Sequence, residues 1–295
     1  MCNLQKNVAI IDIGSNSVRI RISCEGKVFY RNTITTQLAK DISCGLLNEQ
    51  SVKRTFLALD ELIERANKEN AQIYAFATAA VRNAVNGKAF CAQFFTRYNI
   101  ELDVLSGTQE AQMGILGALQ GENGCVIDVG GASSELVIAN NNRIVYAHSM
   151  QLGAVVLTDL CAKNIYDANK KICENMQNFP PISPIEGEIY AIGGTANVIA
   201  FIKSGLSVYD REKTNGLIIT KDELYNFAKD FYCHNEDYIV KKYKINELRA
   251  KVIHSGALLL HSLLSYTGKE RLVLSENDNL EGYYLAKILG KGYEN

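Results

Sequence analysis

Two short segments of this 295-residue chain say nearly the same thing: Ile11-Asp-Ile-Gly-Ser-Asn-Ser17 and Ile127-Asp-Val-Gly-Gly-Ala-Ser133. In each, an apolar run ends in an aspartate, a glycine follows two residues later, and small residues lead into a second apolar run. The pattern predicts strand, tight turn, strand. Glycine permits positive φ and leaves no side chain to obstruct a ligand. Successive backbone N–H groups in such a turn form a concave anion site, and serine hydroxyls add donors. The aspartate at each strand end, Asp12 or Asp128, is placed to hold a divalent cation or to order a water beside that anion. One such turn is an ordinary hairpin. Two, each near the start of a strand-rich half, predict a duplicated phosphate clamp with Gly14, Ser15, Asn16 and Ser17 on one side and Gly130, Gly131, Ala132 and Ser133 on the other.

The length suits two domains of roughly 120–170 residues each. Hydrophobic content of 47% and charged content of 21% are those of a globular protein. A net charge of −1 gives no general attraction to nucleic acid or to an anionic membrane, so neither is expected as a partner. Positive charge for a polyanion would have to be local. The first residues lack the apolar core of a signal peptide and no apolar stretch reaches ~18 residues, so the expected location is the cytoplasm. The eight cysteines show no Cys-x-x-Cys spacing and read as reduced thiols, with Cys125 a small buried hydrophobe. His148, His234, His254 and His261 make no zinc spacing, which disfavours a histidine-based hydrolase or a zinc enzyme. Oxygen ligands and magnesium fit this composition better.

Along the chain, Val8–Asp12, Val18–Cys24 and Val28–Thr33 predict an antiparallel meander. A helix with Ser51 as its cap follows, then the strand Gln72–Ala77, the helix Gly87–Tyr98, the strand Glu101–Leu105 and a helix through Leu119. The second half repeats the theme with strands at Cys125–Asp128, Ser134–Ala139 and Ile144–His148, then Ile189–Ile192 and a Gly193-Gly-Thr turn into a helix. All three prolines fall in Asn175–Gly187, a surface loop. Leu248–Leu264 reads as one buried apolar helix, Arg271–Leu274 as the last strand and Leu280–Leu289 as the last helix. Gly121-Glu-Asn-Gly124 is the loosest connection, which divides the chain into domains 1–121 and 122–278. The doubled α/β plan resembles the actin–hexokinase–chaperone superfamily. That resemblance implies two ribonuclease-H-like domains flanking a cleft, with the terminal helix, about 279–295, packing back on the first.

Residues between the turns point to one member of that superfamily. Ala77-Thr-Ala-Ala-Val-Arg82 with Asn83 and Asn86 resembles the Ala-Thr-Ser-Ala-Leu-Arg…Asn run of the exopolyphosphatase / guanosine pentaphosphate phosphohydrolase family. Leu105-Ser-Gly-Thr-Gln-Glu-Ala111 resembles that family's Ile-Ser-Gly-x-Glu-Glu-Ala, and Asp128–Glu135 its Asp-Ile-Gly-Gly-Gly-Ser-Thr-Glu. Ala191–Ala196, Ser149–Gly153 and Glu281-Gly282 fall in the family's order. The resemblance spans essentially the whole chain and is to the short two-domain form. It implies release of the terminal phosphate from inorganic polyphosphate or guanosine pentaphosphate, using water and a divalent cation, Mg²⁺ foremost with Mn²⁺ as the alternative. A homodimer is compatible with it.

By the same resemblance Glu110 is the catalytic glutamate, orienting or deprotonating water, and Asp128 and Glu135 are an acidic pair for the metal, with Asp12 their first-domain counterpart. Arg82 would offer its planar fork to phosphate oxygens, against a surface salt bridge as the plain alternative. Arg19 is left between substrate channel and structure. Gly193, Gly194 and Thr195 either line the channel for further phosphates or pack a helix start. Three departures are small: Gln109, Ala132 and Ala79 replace a glutamate, a glycine and a serine. A larger one is Ser275-Glu-Asn-Asp-Asn-Leu-Glu-Gly282, where the family reads Ser-x-x-Gly-Leu-Arg-Glu-Gly. Leu280 stands where the family has an arginine, and losing a charge-assisted contact there costs about 1.5–3 kcal/mol of phosphate binding, unless position 280 is a buried contact of the last helix. Two other classes stay open: a small-molecule kinase of the superfamily, and a non-catalytic sensor of polyphosphate or guanosine alarmones.

Overall fold

The computed structural model describes residues 7–293 apart from 41, 43, 44, 142 and 183. The chain divides into two compact units, Met1–Gly107 and Thr108–Asn295.

The first unit opens with β1 (Asn7–Ile13), β2 (Ser17–Cys24) and β3 (Lys27–Thr35). Helix α1 (Glu49–Lys68), β4 (Gln72–Ala77), α2 (Ala79–Asn83), α3 (Gly87–Tyr98) and β5 (Leu102–Val104) follow. The sheet order is β3-β2-β1-β4-β5, with β2 antiparallel and β4 parallel to β1. From Ala9 to Ile13 every residue of β1 is buried, as expected for a strand covered on both faces. Helix α1 buries Thr55, Phe56, Leu59, Leu62, Ile63 and Ala66, spaced three or four apart on one face. Its cap is Asn48, not Ser51: the Asn48 side chain accepts from the amides of Gln50 (2.9 Å) and Ser51 (3.4 Å). Asparagine caps at least as well as serine, and here it stands at the last non-helical residue, leaving Ser51 buried inside the first turn.

The second unit begins with α4 (Gly107–Leu119) and a second meander, β6 (Gly124–Val129), β7 (Ser134–Asn140) and β8 (Arg143–Met150). Then come α5 (Ala154–Cys161), α6 (Ile165–Met176), β9 (Glu188–Ile192), α7 (Gly193–Ser204), α8 (Arg211–Thr214) and β10 (Ile218–Thr220). The chain ends with α9 (Lys221–Cys233), α10 (Glu236–Tyr243), α11 (Glu247–Ala250), α12 (Ile253–Tyr266), β11 (Arg271–Leu274) and α13 (Asn279–Lys287). The sheet order β10-β11-β9-β6-β7-β8 repeats the first unit's plan, with β9 parallel to β6 and the antiparallel β10 added at the edge. Each unit is therefore a ribonuclease-H-like α/β sheet.

One sequence expectation needs correction here. The predicted helix Leu248–Leu264 is two helices: Asn246 caps the short α11 through the Arg249 amide (2.8 Å), and the chain leaves helical geometry at β-branched Val252 (φ −122°) before α12 starts. Helices α4 and α13 meet backbone to backbone, which gathers α4 with the second unit. A Cβ at Gly117 would stand 2.2 Å from the Asp278 carbonyl oxygen, and one at Gly282 only 1.7 Å from that of Met113. Among the described residues no helix is long and apolar enough to cross a membrane.

Candidate active site

The second turn carries the densest charge. Strand register sets Asp128 directly opposite Glu135 on β6 and β7, so both carboxylates share one face of the sheet at cross-strand distance, about 4.5–5.5 Å between Cβ atoms. Glu110, in the first turn of α4, is only 7% exposed and adds a third carboxylate. Burial pushes the Glu135 carboxyl well above the usual range, and the charges of Glu110 and Asp128 push it further. Hydroxyls oppose the shift: Ser133 bonds the carboxylate, and Ser149 Oγ donates to Glu135 Oε1 at 2.8 Å. Glu110, Asp128, Glu135 and Asn279, with Gly114 and Ile192, line a cavity that leaves about 10 Å³ for the centre of a water. That is room for about one molecule.

Asp128 is held from two sides. Gly193 has φ +81°, and a Cβ there would come within 2.3 Å of Asp128 Oδ1, so position 193 demands glycine for both its backbone and its space. From the other side Asn279 Nδ2 donates to Asp128 Oδ2 at 3.3 Å. Gly193 is the first residue of α7, which puts the positive end of that helix beside the carboxylate. Gly194 lies against the Arg249 guanidinium, 2.6 Å from its would-be Cβ, and Thr195 turns inward to donate to the Val129 carbonyl at 3.1 Å. These contacts pack the start of α7.

The first turn has the same backbone. The Gly14 amide donates to the Ser17 carbonyl at 3.0 Å, and the Gly130 amide to that of Ser133 at 3.0 Å. Neither glycine lies in the left-handed region. Their requirement is room, since a Cβ would stand 3.0 Å from that same carbonyl oxygen in each turn. The segment after each meander backs its turn: Ala39 donates to Ser15 O (2.8 Å) and Thr36 to Asn16 O (2.9 Å), while Ala154 and Val155 donate to Gly130 O and Gly131 O (both 2.8 Å). Ser17 Oγ and Asn16 Oδ1 are buried without a hydrogen-bond partner among the described residues. Asp12 is opposite Arg19, whose Nε donates to Oδ2 at 2.9 Å and whose terminal nitrogen makes an ion pair with the same oxygen.

Arg82 Nη1 donates to the Leu105 carbonyl at 2.7 Å, tying α2 to the end of β5. Leu280 is 4% exposed, in the first turn of a helix capped by Asp278, whose Oδ1 accepts from the Leu280 amide at 3.0 Å. Position 280 is thus a buried contact of the last helix. Arg211, not singled out in the sequence, spans the same segment: its terminal nitrogen donates to Glu276 O and Asn277 Oδ1, both at 2.7 Å. Ser149 and Asn279 were also missed as site residues. Ser149 lay within a matched motif, and the polar Asn279 at the family's leucine position was the signal for the other. Among the described residues no group of three or more His, Cys, Asp and Glu side chains is arranged to hold a metal ion.

One strand order used twice, each copy opening on an aspartate–glycine turn, defines a duplicated ribonuclease-H-like α/β protein. The chain belongs to the Ppx/GppA phosphatase family, whose model matches residues 26–289. It is similar to the bifunctional 3-dehydroquinate synthase/phosphatase of Fusobacterium nucleatum subsp. nucleatum, 27% identical over 315 aligned positions that cover 96% of this chain and 47% of that protein. It is also similar to the guanosine-5'-triphosphate,3'-diphosphate pyrophosphatase of Pseudoalteromonas atlantica, 30% identical over 167 positions, 51% of this chain and 32% of that one. The chain thus spans about half or less of the length of these curated relatives. Among solved structures, the PPX-GPPA enzyme of Aquifex aeolicus superposes with a TM-score of 0.76 at 26% identity, covering 95% of this chain and 99% of that one.

Proposed function

We propose that this chain is a phosphoanhydride hydrolase that releases terminal orthophosphate from inorganic polyphosphate or guanosine pentaphosphate. One observation carries the reading: Glu110, Asp128 and Glu135 converge on a cavity with room for a single water. Glu110 takes the proton of the attacking water. The amides and hydroxyls of Gly14–Ser17 and Gly130–Ser133 hold phosphate oxygens, and the unpartnered Ser17 Oγ supports this for the first turn. Arg19 already pairs with Asp12. Arg82 gives Nη1 to the Leu105 carbonyl, which does not neutralise its guanidinium, so Arg82 keeps its proposed place at the phosphate.

An all-oxygen donor set of carboxylates and hydroxyls suits a hard divalent cation, Mg²⁺ or Mn²⁺, with Asp128 and Glu135 as its holders. Magnesium keeps several waters and is bound through one or two carboxylates plus substrate phosphate, a role that Asp128 and Glu135 can fill. When bound, the cation offsets phosphate charge and polarises the phosphoryl oxygens. Asp12, committed to Arg19, has no such role in this reading. The names of the two curated relatives, a bifunctional synthase/phosphatase and a pyrophosphatase, lend support. The test is orthophosphate release from long polyphosphate, tripolyphosphate and guanosine pentaphosphate side by side, with Mg²⁺, with Mn²⁺ and in chelator. Release from one or more of them that needs the cation is expected; binding without release, or full release in chelator, overturns the reading.

A further inference from the structure

We infer that Asn279 is a positioning residue for the site at the second turn, orienting the Asp128 carboxylate with its amide and fixing a buried water with its carbonyl oxygen. The inference rests on the hydrolase reading above. It begins with helix packing. Gly117 and Gly282 let α4 and α13 touch backbone to backbone, which delivers the first residue of α13 into the carboxylate cavity. Asn279 is 4% exposed there. An ionised carboxylate only accepts hydrogen bonds, so the amide nitrogen is the end that faces Asp128, at 3.3 Å.

The other end of the side chain is the second observation. Asn279 Oδ1 is buried without a hydrogen-bond partner among the described residues. It lies 2.9 Å from where a Cβ on Gly114 would stand, and Gly114 and Asn279 line the same cavity. Glycine inside a helix is unfavourable against alanine, and here it makes the space the amide occupies. A buried carbonyl oxygen left without a donor is costly, and a one-water cavity lined by Glu110, Asp128, Glu135 and Asn279 offers a buried water the two to four polar partners it needs. Asn279 thereby reaches the chemistry through its neighbours: Asp128 on one side, the water shared with Glu110 on the other. A leucine at 279 could do neither.

Two variants test this, Asn279→Leu and Asn279→Ala, the second removing the amide without adding bulk beside Gly114. The readouts are Mn²⁺ affinity of the substrate-free chain by calorimetry, kcat and KM for tripolyphosphate at saturating Mn²⁺, and thermal unfolding. Outer partners of a metal-holding carboxylate typically account for ten- to a hundredfold in affinity, so Mn²⁺ binding at least tenfold weaker is expected. With it goes a fall in kcat of tenfold or more, a KM within threefold and a folded protein. Wild-type Mn²⁺ affinity and kcat in either folded variant overturns the inference, and so does a KM effect with kcat unchanged. A wild-type chain that binds no Mn²⁺ also overturns it. If wild type releases no phosphate, the hydrolase reading fails, while the Mn²⁺ comparison still decides whether Asn279 positions Asp128.

Discussion

The two aspartate turns share a backbone and differ in what faces the aspartate. In the first unit, register pairs Asp12 with Arg19; in the second, the equivalent register pairs Asp128 with Glu135. Both partners lie seven residues beyond their aspartate, and both turns close through the same glycine-amide-to-serine-carbonyl bond at 3.0 Å. One turn is neutralised by the protein itself. The other opposes like charges, which is unfavourable unless a proton or a cation intervenes. Hydroxyl use follows the same line: Ser133 bonds Glu135, while Ser17 Oγ is buried without a partner among the described residues. The duplicated motif thus comes in two forms, one turn whose aspartate is paired with an arginine and one whose aspartate faces a glutamate.

The largest effect should come from breaking the acidic turn. Glu110→Gln keeps shape and hydrogen bonding but cannot accept the proton, and loss of a general base costs ~10²–10⁴ in rate. Asp128→Asn should fall in the same range and lose its cation dependence with it. Asp12→Asn, at the equivalent place in the other turn, should lose far less. Steady-state kinetics on the three variants read the contrast. An Asp12→Asn enzyme as slow as Asp128→Asn would mean the turns are not specialised in this way.

Next in size is the stability of the balanced turn. Arg19→Ala removes the ion pair that Arg19 makes with the buried Asp12, and removing one side of such a pair costs about 3–5 kcal/mol. Chemical unfolding should show that loss. A variant within 1 kcal/mol of wild type, by rough measure against that range, would mean that solvent or another group balances Asp12.

Much of this was legible in the sequence because it is local. The turns, both meanders and the strands at 72–77 and 189–192 follow from apolar runs punctuated by glycine. The pairing of Asp12 with Arg19, and of Asp128 with Glu135, was legible in principle, since a tight hairpin sets its register from the turn outward. Other features were not local. The choice of Asn48 over Ser51 as cap turns on one residue's φ and ψ, and the break at Val252 falls in a stretch, Leu248–His254, that has no glycine or proline to mark it. Asn279 meets Asp128 across 151 residues of sequence, through an approach of two helices that only their glycines permit. Leu280 looked like a lost charge because a motif lines residues up without saying which way they face. Buried as it is, it repacks the helix start instead.

The smallest predicted effect is the sharpest test of the contrast, because its sign is unusual. Glu135→Gln should lower activity yet stabilise the cation-free protein, by about 0.2–1 kcal/mol, the scale of a like-charge pair set directly opposite across two strands. For units of this size that is up to a few degrees in Tm. The pH dependence follows from the raised carboxyl of Glu135: the fold prefers its neutral form. Its contribution to stability is therefore fully present below the ordinary carboxylate range and is lost as pH rises through the elevated value. Glutamine cannot ionise, so the Tm advantage of the variant should be near zero at pH 4.5 and grow toward pH 7.5, both measured in chelator. Adding Mg²⁺ at pH 7.5 should raise the Tm of wild type more than that of the variant, closing the gap. If Glu135→Gln is instead destabilising at neutral pH without metal, the Glu135 carboxylate is balanced inside the protein as Asp12 is, and the two turns are more alike than their registers imply.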